Sequence, residues 1–227
     1  MKVSRIALMA VVAFAAVAPL SAQAHEMDPT AKVAGTGLPA GWMLRFDPAY
    51  PGRPAPTVAD VNFRVMAPGF HHTSGPAAIY YRPADASKGE YTVSATFGQR
   101  KSMAHEAFGL FIGGKDLQSA TQNYLYFVVK PQNGTFLINH RTGDGKPTSV
   151  VQYQESDFIV KDSPTDGSAT NKLSIKVTKD AVVFLVNDKE VKSLKKTEID
   201  GASTDGLVGL RLNHNLDLHI ADFGVKH

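Results

Sequence analysis

The chain has 227 residues, with 24 lysines and arginines against 21 aspartates and glutamates, and no cysteine. Without cysteine there is neither a disulfide framework nor the lipid-bearing cysteine of a bacterial lipoprotein. No basic block stands out beyond Lys195-Lys196, which removes the electrostatic footprint of a nucleic-acid or anionic-membrane binder.

Lys2 and Arg5 precede an apolar run from Ile6 to Ala18 that is too short to span a bilayer, and Pro19 breaks it. Ala22-Gln23-Ala24 then supplies an A-x-A cleavage site, so residues 1–24 are predicted to be a secretory signal peptide cut after Ala24. Losing Lys2 and Arg5 leaves 22 basic residues against 21 acidic ones, a balance of +1. No other stretch approaches membrane length, so the expectation is a periplasmic or secreted bacterial protein with no membrane insertion. About 200 residues suffice for a core that needs no disulfides.

Residues 25–58, with GLPAG and PAYPGRPAP, carry little periodicity and are predicted to form an irregular arm packing on a single domain over 59–227. From Val61 onward short β-branched and aromatic runs alternate with turn signals. Strands are predicted at 90–97, 105–113, 123–130 and 135–141, with PQNGT at 131–135 as a hairpin turn. Leu173, Ile175 and Val177 alternate with polar residues, AVVFLV follows, Asn187 to Glu190 is a turn, and GLVGLRL and LDLHI close the chain. No run supports a substantial helix. The expectation is an all-β sandwich or barrel.

The segment NKLSIKVTKDAVVFLVNDKEV resembles the strand–hairpin element of concanavalin A-like sandwiches, and DGLVGLRLNHNLDLHIADFGV resembles their closing strands. The flavour is that of secreted bacterial laminin-G-like and 3-keto-disaccharide-hydrolase-like domains. One departure is Asp188, where such domains usually have glycine. The resemblance implies a jelly-roll β-sandwich of two antiparallel sheets; its motifs are structural and speak to fold more than to function.

If the four middle strands are consecutive neighbours, each separates into two faces. Tyr91, Val93, Ala95 and Phe97 fall with Phe108, Leu110 and Ile112, then Leu125, Phe127 and Val129, then Phe136 and Ile138. The opposite face carries Ser94, His105, Tyr124, Tyr126, Asn139 and Arg141 around the small Ala107 and Gly109. Flat rings, hydroxyls and planar polar groups around small residues are the make-up of a sugar-binding groove. Arg211, Asn213 and His214 end a closing strand within reach of the same rim. The same face reads equally as a solvated sheet surface, or as one covered by the 25–58 arm.

By this register Glu106 lies on the aliphatic side at the strand's first residue, a rim carboxylate held by backbone or arginine. It is the acid to consider if the protein is an enzyme of the glycoside-hydrolase or 3-keto-glycoside-cleaving kind. Glu155-Ser156-Asp157 and Glu198-Ile199-Asp200 begin the carboxylate strand of laminarinase-type glycosidases but lack its third acid. A metal reading rests on His25, which cleavage would make an amine-plus-imidazole chelator of copper, with His72 of the adjacent His71-His72 pair as a second ligand. Trp42 reads as a core plug in the arm. The expectation is thus a non-catalytic, exported binder of a carbohydrate or glycoside, using no cofactor, with glycoside cleavage and copper binding as the alternatives.

Overall fold

The computed structural model describes residues 37–49, 52, 54–73, 75–100, 106–214 and 216–227. The signal-peptide segment, His25, the first part of the arm and His105 lie outside them. Two antiparallel sheets of seven strands form the fold. The first runs β1 (Met43–Phe46), β4 (Ala78–Ser87), β13 (Gly206–Leu212), β6 (Phe108–Lys115), β7 (Asn123–Lys130), β8 (Thr135–Thr142) and β9 (Thr148–Glu155). The second runs β12 (Lys189–Lys195), β11 (Ala181–Val186), β10 (Ala169–Val177), β5 (Tyr91–Gln99), β14 (Asp217–Lys226), β3 (Phe70–Thr73) and β2 (Asn62–Val65). The only helical turns among the described residues are two short 3-10 segments, and no helix there is long and apolar enough to cross a membrane.

The alternation read from the sequence is what glues the sheets. Val93, Ala95 and Phe97 of β5 and Leu173, Ile175 and Val177 of β10 point inward from the second sheet. Phe108, Leu110 and Ile112 of β6, with Leu125, Phe127 and Val129 of β7, meet them from the first. Rings stack across the gap: Phe97 lies 5.1 Å from Phe108, and Phe127 lies 5.3 Å from Phe184. Each such side chain withdrawn from water contributes roughly 1.5–3 kcal/mol before entropy is counted.

Two expectations need correction. The strands around 90–97 and 105–113 are not neighbours: β5 pairs with β10 and β14, whereas β6 pairs with β13 and β7. The chain crosses from one sheet to the other after Gln99, so the meander holds only for β6, β7 and β8. The arm is also less irregular than its composition suggests. Met43 to Phe46 pair with Tyr81 to Ala78 as an edge strand, and Trp42 plugs the core with its ring 5.0 Å from both Phe63 and Phe70. Proline and glycine on both sides mask this four-residue strand, which β4 templates.

The turns follow their residues. Asn187 and Asp188 both take left-handed φ (51° and 63°), as a two-residue type I′ hairpin requires. Asp188 tolerates this where glycine would be usual. Asn187 secures the turn through its Oδ1, which accepts from the Lys172 amide at 2.9 Å. In the 131–134 turn only Gly134 goes left-handed (φ 69°), its amide donating to the Lys130 carbonyl at 3.1 Å.

Candidate functional site

The first sheet has a second packed face, on the side away from the core. Ala107, Phe111, Tyr124, Tyr126 and Val128 cluster there with Ile79 and Tyr81 of β4, and Leu137 and Leu207 pack against them. The separation of β6, β7 and β8 into two faces therefore holds as read. Two glycines shape this surface. A Cβ on Gly109 would stand 2.1 Å from the Phe127 carbonyl oxygen, and one on Gly209 would stand 2.2 Å from that of Tyr80 and 2.6 Å from the Phe111 ring. Only glycine lets these strands close up and the Phe111 ring lie over β13.

A chain of polar contacts runs over the rings. Arg211 of β13 grips Asp47 with both terminal nitrogens, at 2.6 and 2.7 Å, and its guanidinium lies 5.3 Å over the Tyr126 ring. Arg141 of β8 reaches the same carboxylate at 3.3 Å and donates to the Gly145 carbonyl at 2.6 Å. Asn139 donates to the Tyr126 hydroxyl at 2.9 Å. Further along, Arg211 donates to Asn213 Oδ1 at 3.1 Å, Asn213 Nδ2 donates to Glu106 at 3.3 Å, and His214 sits 3.2 Å from the other Glu106 oxygen.

Burial pushes the Asp47 carboxyl upward, but the charge and hydrogen bonds of Arg211, with Arg141 behind it, outweigh that and hold it below its ordinary value. Burial likewise works against the Arg211 cation, and its anionic surroundings reverse the effect, so the guanidinium is held more firmly charged than usual. At neutral pH Asp47 rather than Tyr124 supplies that hold, since burial pushes the Tyr124 hydroxyl up, against the pull of Arg211.

The predicted site residues fall in three groups. Tyr124, Tyr126, Asn139, Arg141 and Arg211 come together on this face. Ser94 does not: it sits on β5 of the second sheet, opposite Ser174, because β5 left the meander. His105 and His25 lie outside the described residues. The floor of the expected trough is covered: Tyr124 is 1% exposed, Tyr126 6%, and Arg141 and Arg211 5% each. Part of the cover is Asp47 itself, from the arm. The rest described comes from two connections, with Arg45 ion-paired to Asp144 at 2.8 Å, and Gln118 donating to the Tyr81 hydroxyl at 2.6 Å.

Glu106 departs from its predicted setting. The strand begins only at Phe108, so alternation does not extend back to it, and it joins the outer-face network through Asn213 and His214 rather than an arginine. His72 points into the core, its Nε2 3.1 Å from the Tyr80 hydroxyl. Among the described residues no three histidines or carboxylates gather as a metal site.

Two residues on this face escaped the sequence reading. Asp47 offered no signal beyond being an acid in a proline-rich arm. Tyr153 sits on edge strand β9, where two register shifts against β8 break simple alternation. Gln154 pairs with the inward-facing Phe136, so Tyr153 turns to the outer side, where it is 50% exposed at the rim; partial burial, with Glu106 and Tyr126 adding to it, pushes its hydroxyl upward.

No protein-family model and no curated protein sequence matches the chain. Among solved structures it is similar to the carbohydrate-binding module CBM66 from Bacillus subtilis, with a TM-score of 0.58 and 10% identity over 85% of this chain and 97% of that one. A family 16 glycoside hydrolase, an endo-glucanase from Bacteroides ovatus, gives a TM-score of 0.49 at 13% identity, covering 79% of this chain and 81% of its own. A galectin from Caenorhabditis elegans gives 0.44 at 14%, covering 74% and 96%. The fold is a concanavalin A-like jelly-roll sandwich.

Proposed function

We propose that the protein is an exported, non-catalytic carbohydrate-recognising sandwich whose ligand lies along the outer face of the first sheet. The observation that carries this reading is the ordered series of ring, guanidinium and amide groups from Tyr126 and Arg211 through Asn213 to Glu106, ending at the half-exposed ring of Tyr153. Sugars need both kinds of group. Their C–H faces stack on rings, and their hydroxyls exchange water for directional partners at a net of about 1 kcal/mol each. Because Tyr124 and Tyr126 are buried, the stacking ring is Tyr153, with Glu106, Asn213 and His214 as the hydrogen-bonding groups beside it. That this fold houses a carbohydrate-binding module in Bacillus subtilis agrees with the reading without carrying it.

A glycan-array screen followed by titration calorimetry tests it. Tyr153→Ala is expected to weaken the best array ligand about tenfold, with the melting temperature nearly unchanged, because half of the ring is already in water. Tyr126→Ala, by contrast, should destabilise the fold by about 3 kcal/mol, as for other buried aromatics. Full affinity in a folded Tyr153→Ala protein would remove the proposed face. Export belongs to the same reading: intact-mass analysis of protein recovered outside the cytoplasm should find His25 as the first residue, and Met1 retained there would end it.

Glu106 gives a second reading some footing, because it is a partly exposed carboxylate held at the rim by Asn213 and His214. Glycoside cleavage there predicts turnover of the array ligand that Glu106→Gln abolishes. Binding without turnover leaves the protein a binder.

A further inference from the structure

Arg211 and Arg141 sit on different strands of the first sheet, both about as buried as the aliphatic residues around them, and both reach a single carboxylate. Two buried guanidiniums thus share one contacting carboxylate, with Asp144 acting on Arg141 from farther off. Each Nε of the pair is buried and has no hydrogen-bond partner among the described residues, so the cations are neither fully neutralised nor fully bonded. The carboxylate comes from outside the sheet's own strands of that face. Asp47 follows edge strand β1, its backbone amide is fixed by the Ala77 carbonyl at 2.9 Å, and its side chain remains 27% exposed. Rotation about its side-chain bonds alone would release both arginines and put the carboxylate into water.

Asp47 also forms part of the wall of an open cleft of about 330 Å³, lined further by Arg45, Phe46, Pro56, Gln118 and Asp144. That is the lower end of the range of about 300–1,000 Å³ that small ligands occupy. The cleft thus ends at a carboxylate seated on two buried guanidiniums.

Building on the carbohydrate reading, we propose that the ligand is an acidic saccharide whose uronate carboxylate takes the place of Asp47 on Arg211 and Arg141. The bidentate grip of Arg211, with oxygens at 2.6 and 2.7 Å, matches a planar carboxylate edge-on. Asp47 acts as the resident stand-in, keeping the arginines paired while no ligand is bound and setting a threshold that neutral sugars cannot cross. A hydroxyl offers a guanidinium a single uncharged bond and leaves the second cation unmet, so a neutral sugar does not displace Asp47.

Calorimetry with tetragalacturonate and with its fully methyl-esterified form, on the full mature chain, tests this. The two probes share ring shape and ring hydroxyls and differ at the carboxyl, which is an anion in one and a neutral methyl ester in the other. The acid is expected to bind at least about tenfold tighter than the ester, because a charge-assisted bidentate pair is at stake. Asp47→Asn, which lowers the competition for the arginines, should raise affinity for the acid several-fold and leave the ester unchanged. Equal binding of acid and ester, or binding of neutral array sugars only, would overturn the uronate proposal and leave carbohydrate recognition standing. No saccharide bound by the folded protein would overturn both. Should Asp47→Asn fail to fold, the acid–ester comparison on the unaltered chain decides the matter alone.

Discussion

Acidifying the protein from pH 7 to pH 4 is expected to cost the fold about 3 kcal/mol through one side chain, His72. It points inward from β3, its ring 5.4 Å from Tyr80 and 6.2 Å from Phe63, and is fully buried. Burial is the main reason its pKa falls from 6.5 to about 4; the neighbouring His71 adds to this and Asp217 opposes it. An unfolded chain takes up a proton near pH 6.5 that the folded chain refuses until about pH 4. Between those values the unfolded state binds more protons, so stability is complete above pH 6.5 and falls as the pH drops toward 4. The fall from 6.5 to about 4, at about 1.4 kcal/mol for each tenfold change in proton affinity, sets the size. Urea midpoints at pH 7, 5.5 and 4 measure it, with His72→Gln expected to flatten the curve. His71, whose Nε2 lies 3.3 Å from Asp217, is retained in both proteins. Parallel curves for the two would show that His72 is not the source.

Gly109→Ala is expected to cost the fold several kcal/mol for a single added methyl group. The new carbon would lie 2.1 Å from the Phe127 carbonyl oxygen and 2.9 Å from the Val128 Cα, and both obstacles are backbone of a hydrogen-bonded neighbour strand. No rotamer change relieves that, so β6 and β7 must part where the ladder is central to the sheet. Overpacking of side chains costs about 1–3 kcal/mol, and a backbone collision belongs at or above the top of that range. Gly145→Ala is the control: no atom stands within 4 Å of its Cβ position, and a change within about 0.5 kcal/mol is expected. Thermal unfolding of the two variants against the parent chain checks both. A Gly109→Ala protein as stable as the parent would mean that the strands tolerate separation there.

The contrast between what the sequence disclosed and what it withheld follows the range of the forces involved. Period-two alternation is local, so the inward sets of β5, β6, β7, β8 and β10 could be read directly, as could the aliphatic and ring faces of the three strands that do follow one another. Which sheet a strand joins is not local. Nothing between Gln99 and Phe108 marks a crossing, so Ser94 was grouped with residues that lie on the other sheet. Asp47 and Tyr153 depend on still longer reach. One is an acid placed by pairing of a four-residue edge strand; the other is a tyrosine whose direction is set by two bulges. Exposure was the least legible property. The composition of the outer face predicted rings and guanidiniums correctly but not that connections 116–122 and 143–147 would fold against it.

Having packed residues on both of its faces, the first sheet differs from the second, whose outer side shows Thr92, Ser94, Thr96 and Lys176 to solvent to varying degrees. Amide protons of β6 and β7 are thus shielded from above and below, and only global unfolding should release them to exchange with deuterium. Among the described residues this doubly covered layer lies directly beneath the surface proposed for ligand. A surface borne on such a layer meets its partner already in shape and surrenders little motional freedom on contact. Saturation with ligand should accordingly leave exchange in β6 and β7 unaltered and slow it only at the edges, around Asp47 and along β9.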